Sequence, residues 1–159
     1  MKKLLFILMA VLLTTATMLS PSCTKPKGCT DPDAKNYDTS AGKDDGSCTY
    51  EGKVIFWYGE STSIALLNDR VNSLTYHIDG IIVGSTAASV YWLGSTGPEC
   101  GQEGLVTHTK NLGSDKNKSY SFSVKSETGE EYWNGSISFS AKTCATMELS
   151  WASKMNTEK

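Results

Sequence analysis

LTYHIDGIIVG, residues 74–84, decides the fold. Leu74, Tyr76 and Ile78 alternate with Thr75, His77 and Asp79. In an extended chain that period sends the apolar set to one face and the polar set to the other. Asp79-Gly80 then interrupts the pattern, and 81–84 begins a second extended run. Asp-Gly between alternating segments favours the tight turn whose twist suits a β-hairpin. One dry face on each strand needs another layer to cover it.

The same signature recurs outward from this hairpin. Val54, Phe56 and Tyr58 share one face of 53–58. Tyr120, Phe122 and Val124 alternate with Ser119, Ser121 and Ser123, and Glu127-Thr128-Gly129 reads as a turn. Segment 132–140 returns, and Ala145, Met147, Leu149 and Trp151 share a face of 143–151. Residues 64–67, 89–93 and 105–109 are further strand candidates, and no segment shows a sustained helical stripe. The expected fold is all-β: an antiparallel β-sandwich of about 7–8 strands over 51–151. Residues 152–159 read as a polar tail.

The N-terminus reads differently. Lys2 and Lys3 precede an unbroken apolar run, 4–13, and then 14–22 lead to Cys23. The run is short for a membrane span and suits the core of a secretory signal, so 1–22 is expected to be removed. The stretch resembles a bacterial lipoprotein signal, in the loose form of Bacteroidetes-like bacteria. It departs from the strict pattern at Pro21 and in lacking Leu at −3. The resemblance implies lipidation at Cys23, residues 23–27 as a tether, and attachment to a membrane by the acyl chains. It also implies palmitate or a similar chain on Cys23 and a place in the cell envelope, with the outer membrane expected. Whether the protein faces the periplasm or the exterior is left open, because no acidic cluster follows Cys23.

Removing Lys2 and Lys3 from the 15 basic residues leaves 13 against 17 acidic ones, a net charge of −4. No basic patch stands out, which argues against a nucleic-acid partner.

GCTDPDAKNYDTSAGKDDGSCTY, residues 28–50, holds two cysteines and five aspartates with almost no aliphatic side chains. Such a segment cannot build its own core and calls for a staple. Cys29 with Cys48 would supply one, with a loop-closure gain of about 3 kcal/mol. Cys100 and Cys144 then remain as a second pair, tying the central loop to the last strand. Asp31, Asp33, Asn36, Asp44 and Asp45 offer the hard oxygen ligands that calcium prefers. Against this, Asp and Asn also cap their own backbone in turns, and no terminal glutamate completes an EF-hand spacing. Both readings stand at this point.

Residues 28–50 resemble a short repeat of secreted and cell-surface bacterial proteins. Gly28, Cys29, Thr30, Asp31, Pro32, Ala34, Asn36, Tyr37, Asp44, Asp45, Gly46, Ser47 and Cys48 match it; its usual second proline is missing. The remainder is similar to small exported domains with a transthyretin-like or carboxypeptidase-regulatory-like sandwich. Leu74 to Gly80, Val83-Gly84, 98–107, 118–124, Trp133 to Ile137 and Cys144 carry that loose likeness. It implies an accessory or binding part of an envelope protein and brings no catalytic residues.

His77 and His108 are the only histidines, and no spacing joins them to a metal or acid–base motif. There is no Gly-x-Ser-x-Gly elbow, no Cys-x-x-Cys pair and no phosphate-loop lysine. The chain is therefore expected not to be an enzyme. Trp57, Trp92 and Trp133 are the candidate binding residues: each lies out of phase with its neighbours or beside another aromatic, so that one ring of each pair should face outward. The functional expectation is a non-catalytic envelope lipoprotein that binds a protein or glycan partner. The competing expectation is a spacer or stem stiffened by calcium; a hydrolase built on His77 or His108 ranks below both.

Overall fold

A computed structural model of the chain describes residues 25–152 and 154. Cys23 and the leader lie outside the described residues, as does most of the polar tail. Among the described residues the elements run in the order β1 (Lys27–Gly28), β2 (Lys43–Asp44), β3 (Tyr50–Trp57), α1 (Glu60–Asn68), β4 (Ser73–Ile78), β5 (Ile81–Ala87), β6 (Val106–Gly113), β7 (Asn117–Ser126), β8 (Glu131–Ser140) and β9 (Cys144–Glu148). β1 and β2 form a two-stranded parallel ribbon in the small module. The other strands form two facing sheets, ordered β6-β3-β9 and β5-β4-β7-β8. All neighbours in the larger sheet are antiparallel. In the smaller one β3 is antiparallel to β6 and parallel to β9. The fold is a mainly antiparallel β-sandwich.

The core lies between the sheets. From β3 it takes Val54 and Phe56, from β4 Leu74, Tyr76 and Ile78, from β7 Phe122 and Val124, and from β8 Ile137 and Phe139. In β3, β4 and β7 these are the alternate apolar positions that the sequence pattern marks. Phe56 meets the rings of Tyr76 and Phe122 at centroid distances of 5.2 and 5.9 Å, a spacing that favours tilted aromatic packing. At the β4–β5 turn both Asp79 and Gly80 have positive φ, 55° and 76°, as the two-residue hairpin turn requires.

Residues 64–67, expected as a strand, belong instead to α1. The residues that α1 buries are Thr62, Ser63 and Leu66, while Ile64 and Leu67 face solvent. Two small hydroxyl residues thus share the inward face with Leu66 while two apolar side chains face outward, which blurs the usual helical pattern. Ser63 escapes the cost of burial by donating from Oγ to the Ala88 carbonyl at 2.7 Å. The helix closes with Arg70 in the left-handed region at φ 64°. Arg70 N donates to Leu67 O and Val71 N to Leu66 O, the paired bonds of a Schellman ending, which usually employs glycine.

Segment 89–93, also expected as a strand, has no strand partner. It begins the long irregular connection between β5 and β6. Residues 94–105 of that connection form a strap beside the outer face of the β6-β3-β9 sheet. Among the described residues no helix is long and apolar enough to cross a membrane.

Candidate functional site

The small module is fixed to the sandwich through its carboxylates. Asp31 is the centre of this junction. Its Oδ2 lies 2.6 Å from the Lys116 ammonium and accepts a hydrogen bond from the Tyr50 hydroxyl at 2.7 Å. Its Oδ1 accepts from the Asp33 amide at 3.0 Å. Lys116 also reaches Asp33 at 3.2 Å. Lys142 donates to the Pro32 carbonyl, and Lys35 pairs with Glu51 at 2.8 Å. Hydrogen bonds from Lys116 and then Tyr50 hold the Asp31 carboxyl down to about 2. The same contact with Asp31 raises the Lys116 ammonium and the Tyr50 phenol. Each partner favours the charged form of the other, or the proton that bridges them.

Inside the module the remaining acidic and amide groups serve the backbone. Asp44 Oδ1 accepts from Gly46 N at 2.9 Å, and Asp45 Oδ1 from Ser47 N at 3.0 Å. Asn36 donates to Ser47 O and accepts from Thr49 N, each at 2.8 Å. Ser40 donates through both N and Oγ to Asp38. Asp38, Asp44 and Asp45 thus close their own turns, whereas Asn36 ties its turn to the backbone 11 and 13 positions further on. The structure brings Asp31 and Asp33 together around a lysine, leaves Asp44 and Asp45 in local turns, and engages Asn36 with the Ser47 and Thr49 backbone. Among the described residues no group of three or more His, Cys, Asp or Glu side chains is arranged to hold a metal ion. Cys29 is bonded to Cys48 across the base of the module.

The second feature is the outer face of the β6-β3-β9 sheet. On β3 this face carries Glu51, Lys53, Ile55 and Trp57, the positions out of phase with the core. Ile55 is nonetheless 0% exposed. Its neighbours across the sheet are Thr107 and Thr146, and the strap holds both. Gly101 N donates to Thr107 Oγ1 at 2.9 Å. Gly97 packs so closely on Thr146 that an added Cβ would lie 3.3 Å from its side chain, with Trp57 Nε1 at 3.4 Å. The Cys100–Cys144 disulfide clamps the strap to β9. Where strap and sheet diverge, a groove of about 660 Å³ opens, lined by Glu51, Lys53, Pro98, Glu99, Lys142 and Thr146 among others.

The three candidate tryptophans separate. Trp57 lies on this outer face, half-buried, with its Nε1 enclosed and without a hydrogen-bond partner. Trp92 is half-buried, and its Nε1 donates to Thr96 O at 2.6 Å, folding the strap on itself. Trp133 is 6% exposed and donates to Ser150 O. Its neighbour Tyr132 is 3% exposed, so both rings of this adjacent pair are buried rather than one. A register shift between Val124 and Lys125 pairs these residues with Trp133 and Glu131 and leaves Tyr132 as the extra residue of a bulge, which turns both side chains away from solvent.

The histidines occupy different surfaces. His77 is on the outer side of β4, out of phase with Leu74, Tyr76 and Ile78, and its Nδ1 is enclosed without a partner. His108 has the phase of buried Val106 and Leu112, at the β5–β6 edge beside Ile78, Ile81 and Val83. Burial, then the nearby Lys110 charge, lowers its imidazole. Sequence spacing could not reveal the roles of Lys116, Lys142 and Tyr50, because only the tertiary fold brings them to their partners.

No family model matches the chain, and no solved structure matches it. A segment of 24 residues is 75% identical to ribulose bisphosphate carboxylase/oxygenase activase of Spinacia oleracea, covering 15% of this chain and 5% of that protein. A segment of 26 residues is 65% identical to activase 1 of Larrea tridentata, covering 16% and 6%. The chain thus spans about a twentieth of the length of the curated relatives it matches. Matches of that length are the size of the small module and far shorter than the sandwich, so what these short likenesses share is a segment and not a fold.

Proposed function

We propose that this chain is a non-catalytic cell-envelope lipoprotein, anchored through Cys23, whose sandwich is an accessory or binding module for a protein or glycan partner. The observation that carries this reading is the junction at Asp31. Lys116 from the β6–β7 turn and Tyr50 at the start of β3 both grip one carboxylate of the module, which fixes the module to the sandwich. A short tether after Cys23 would lead into this collar, whose first strand begins at Lys27, and such a collar suits presenting a β-sandwich from a lipid surface. The strap side, with Trp57, Trp92 and the groove, is the surface we assign to a partner: it combines aromatic area with charged groups of both signs.

The test has two parts. Cells expressing the full chain are labelled with an alkyne fatty acid; label on the wild type and none on Cys23→Ser is expected, and an unlabelled wild type overturns the anchor. Purified protein starting at Cys23→Ser is then sedimented with insoluble envelope glycans and with washed envelope, alongside Trp92→Ala. Retention weakened by Trp92→Ala is expected. Retention by neither overturns the binding role.

The stem reading stands second, because the same junction favours it. The module would hold the sandwich off the membrane, with Lys116 as the internal cation between Asp31 and Asp33. Calcium would have to compete with that ammonium.

A further inference from the structure

The two disulfides sit in unlike surroundings. Cys29 and Cys48 are 1% and 9% exposed. Cys144 is exposed and Cys100 half-buried. The buried pair is enclosed in a module held by ion pairs and by backbone bonds on both sides of it. The exposed pair is the covalent fastening of a strap that Gly101 N also joins to the sheet, by its hydrogen bond to Thr107 Oγ1. Further bonds of the strap are internal, from Gln102 N to Glu99 O and Leu105 N to Gln102 O. Beneath it lie Ile55, fully covered on what would otherwise be a solvent face, and the unpartnered Nε1 of Trp57.

We propose that the Cys100–Cys144 disulfide is a thiol-sensitive latch that holds the strap 94–105 closed over Ile55 and Trp57. An external dithiol opens it by exchange. One thiolate of the dithiol attacks the accessible Cys144 sulfur, and Cys100 leaves as a thiolate and takes up a proton. The second thiol of the reagent then displaces Cys144, which is also protonated, and the dithiol departs as a cyclic disulfide. Two electrons pass from reagent to protein and both cysteines end as thiols. Access decides the order, because exchange needs the attacking sulfur to reach the bond in line. The opened strap loses its clamp to β9 and uncovers an apolar patch beside a charged groove. The geometry is independent of the anchor and of any partner.

The test uses the folded protein with both disulfides intact. Limiting dithiothreitol is added without denaturant, thiols are trapped with iodoacetamide, and peptides are read by mass spectrometry. Cys100 and Cys144 should be alkylated about tenfold or more before Cys29 and Cys48, as exposure dictates. Carbene footprinting of the trapped, half-reduced protein should show new labelling at Ile55 and Trp57, with residues 29–50 unchanged. Opening of Cys29–Cys48 first, or at the same rate, overturns the latch. So does a reduced Cys100–Cys144 that leaves labelling at Ile55 and Trp57 as it was. The Cys100→Ser/Cys144→Ser variant should reproduce the open footprint without reductant; if it fails to fold, the kinetics and footprint of the wild type decide.

Discussion

The Lys116 ammonium lies 2.6 Å from the Asp31 carboxylate, although 85 positions separate the two residues in the chain numbering. Lys116 sits in the β6–β7 turn and Asp31 in the module. The pair therefore joins parts of the chain whose strands do not hydrogen-bond to each other.

Lys116→Met should loosen this joint without unfolding the sandwich. The methionine keeps the packing stem and removes the charge that bridges Asp31 and Asp33. Both carboxylates then face each other without a counter-ion, an arrangement that raises the cost of keeping both ionised. Hydrogen exchange should quicken across 29–50 and stay unchanged in β4 and β7, with a small effect on global stability because the groups are solvent-accessible. Equal quickening in both regions would show that module and sandwich unfold as one unit.

The pH dependence of the joint follows from the same contact. Asp31 is held at about 2 against an ordinary 3.8. A carboxyl lowered in the folded state adds stability above its unfolded value, and that contribution disappears as pH falls through the folded value. Docking should thus be fully present above pH 4 and lost between about 4 and 2. Glu127 behaves alike: bonds from the Asn72 and Ser73 amides help hold it at about 2 against 4.5. An acid titration followed by hydrogen exchange should show the module and the start of β4 weakening in that window. Asp31→Asn should flatten the response of the module and leave that of β4. A profile for Asp31→Asn identical to the wild type would remove the carboxylate as its source.

Gly52 tests the approach of the two sheets. It lies on the inward phase of β3, and a Cβ there would stand 2.7 Å from the Ser140 carbonyl oxygen and 3.2 Å from Phe139 Cβ. The nearest obstacle is backbone in β8, which cannot swing aside as a side chain can. Gly52→Ala should cost about 1–3 kcal/mol by overpacking, read as a lower urea midpoint with an unchanged slope. Stability equal to the wild type would mean that the sheets part there without cost.

Legibility in the sequence tracks how local each cause is. The Asp79-Gly80 turn and the alternation in β4 and β7 are written in neighbouring residues, and the structure has them there. The dry side of β3 could be read the same way, including the outward phase of Trp57. Helix α1 could not, because Thr62 and Ser63 are buried while Ile64 and Leu67 are exposed, so its apolar residues do not mark the buried face. The burial of Tyr132 beside Trp133 depends on a bulge that the partner strand imposes. The joint at Asp31 was hidden for a different reason. A cluster of aspartates looks the same whether its counter-ion is a metal or a lysine folded in from elsewhere, and here Lys116 is the cation beside two of the five candidate ligands.

The ammonium between Asp31 and Asp33 gives the last prediction. Calcium binds carboxylate oxygens that are free to surround it. In the wild type Asp31 and Asp33 are engaged by Lys116, Asp44 and Asp45 in their own turns, and Asn36 by the backbone of Ser47 and Thr49. Millimolar calcium should therefore leave the thermal midpoint of the wild type within the shift produced by magnesium at equal ionic strength. In Lys116→Met the two aspartates lose their cation, and a divalent ion can offset their repulsion. Calcium should then raise the midpoint of the variant more than that of the wild type, and Asp31→Asn in the same background should cancel the gain. A larger calcium response in the wild type than in Lys116→Met would mean that the lysine supports a metal site instead of replacing one, and would move the calcium-stiffened stem ahead of the binding module.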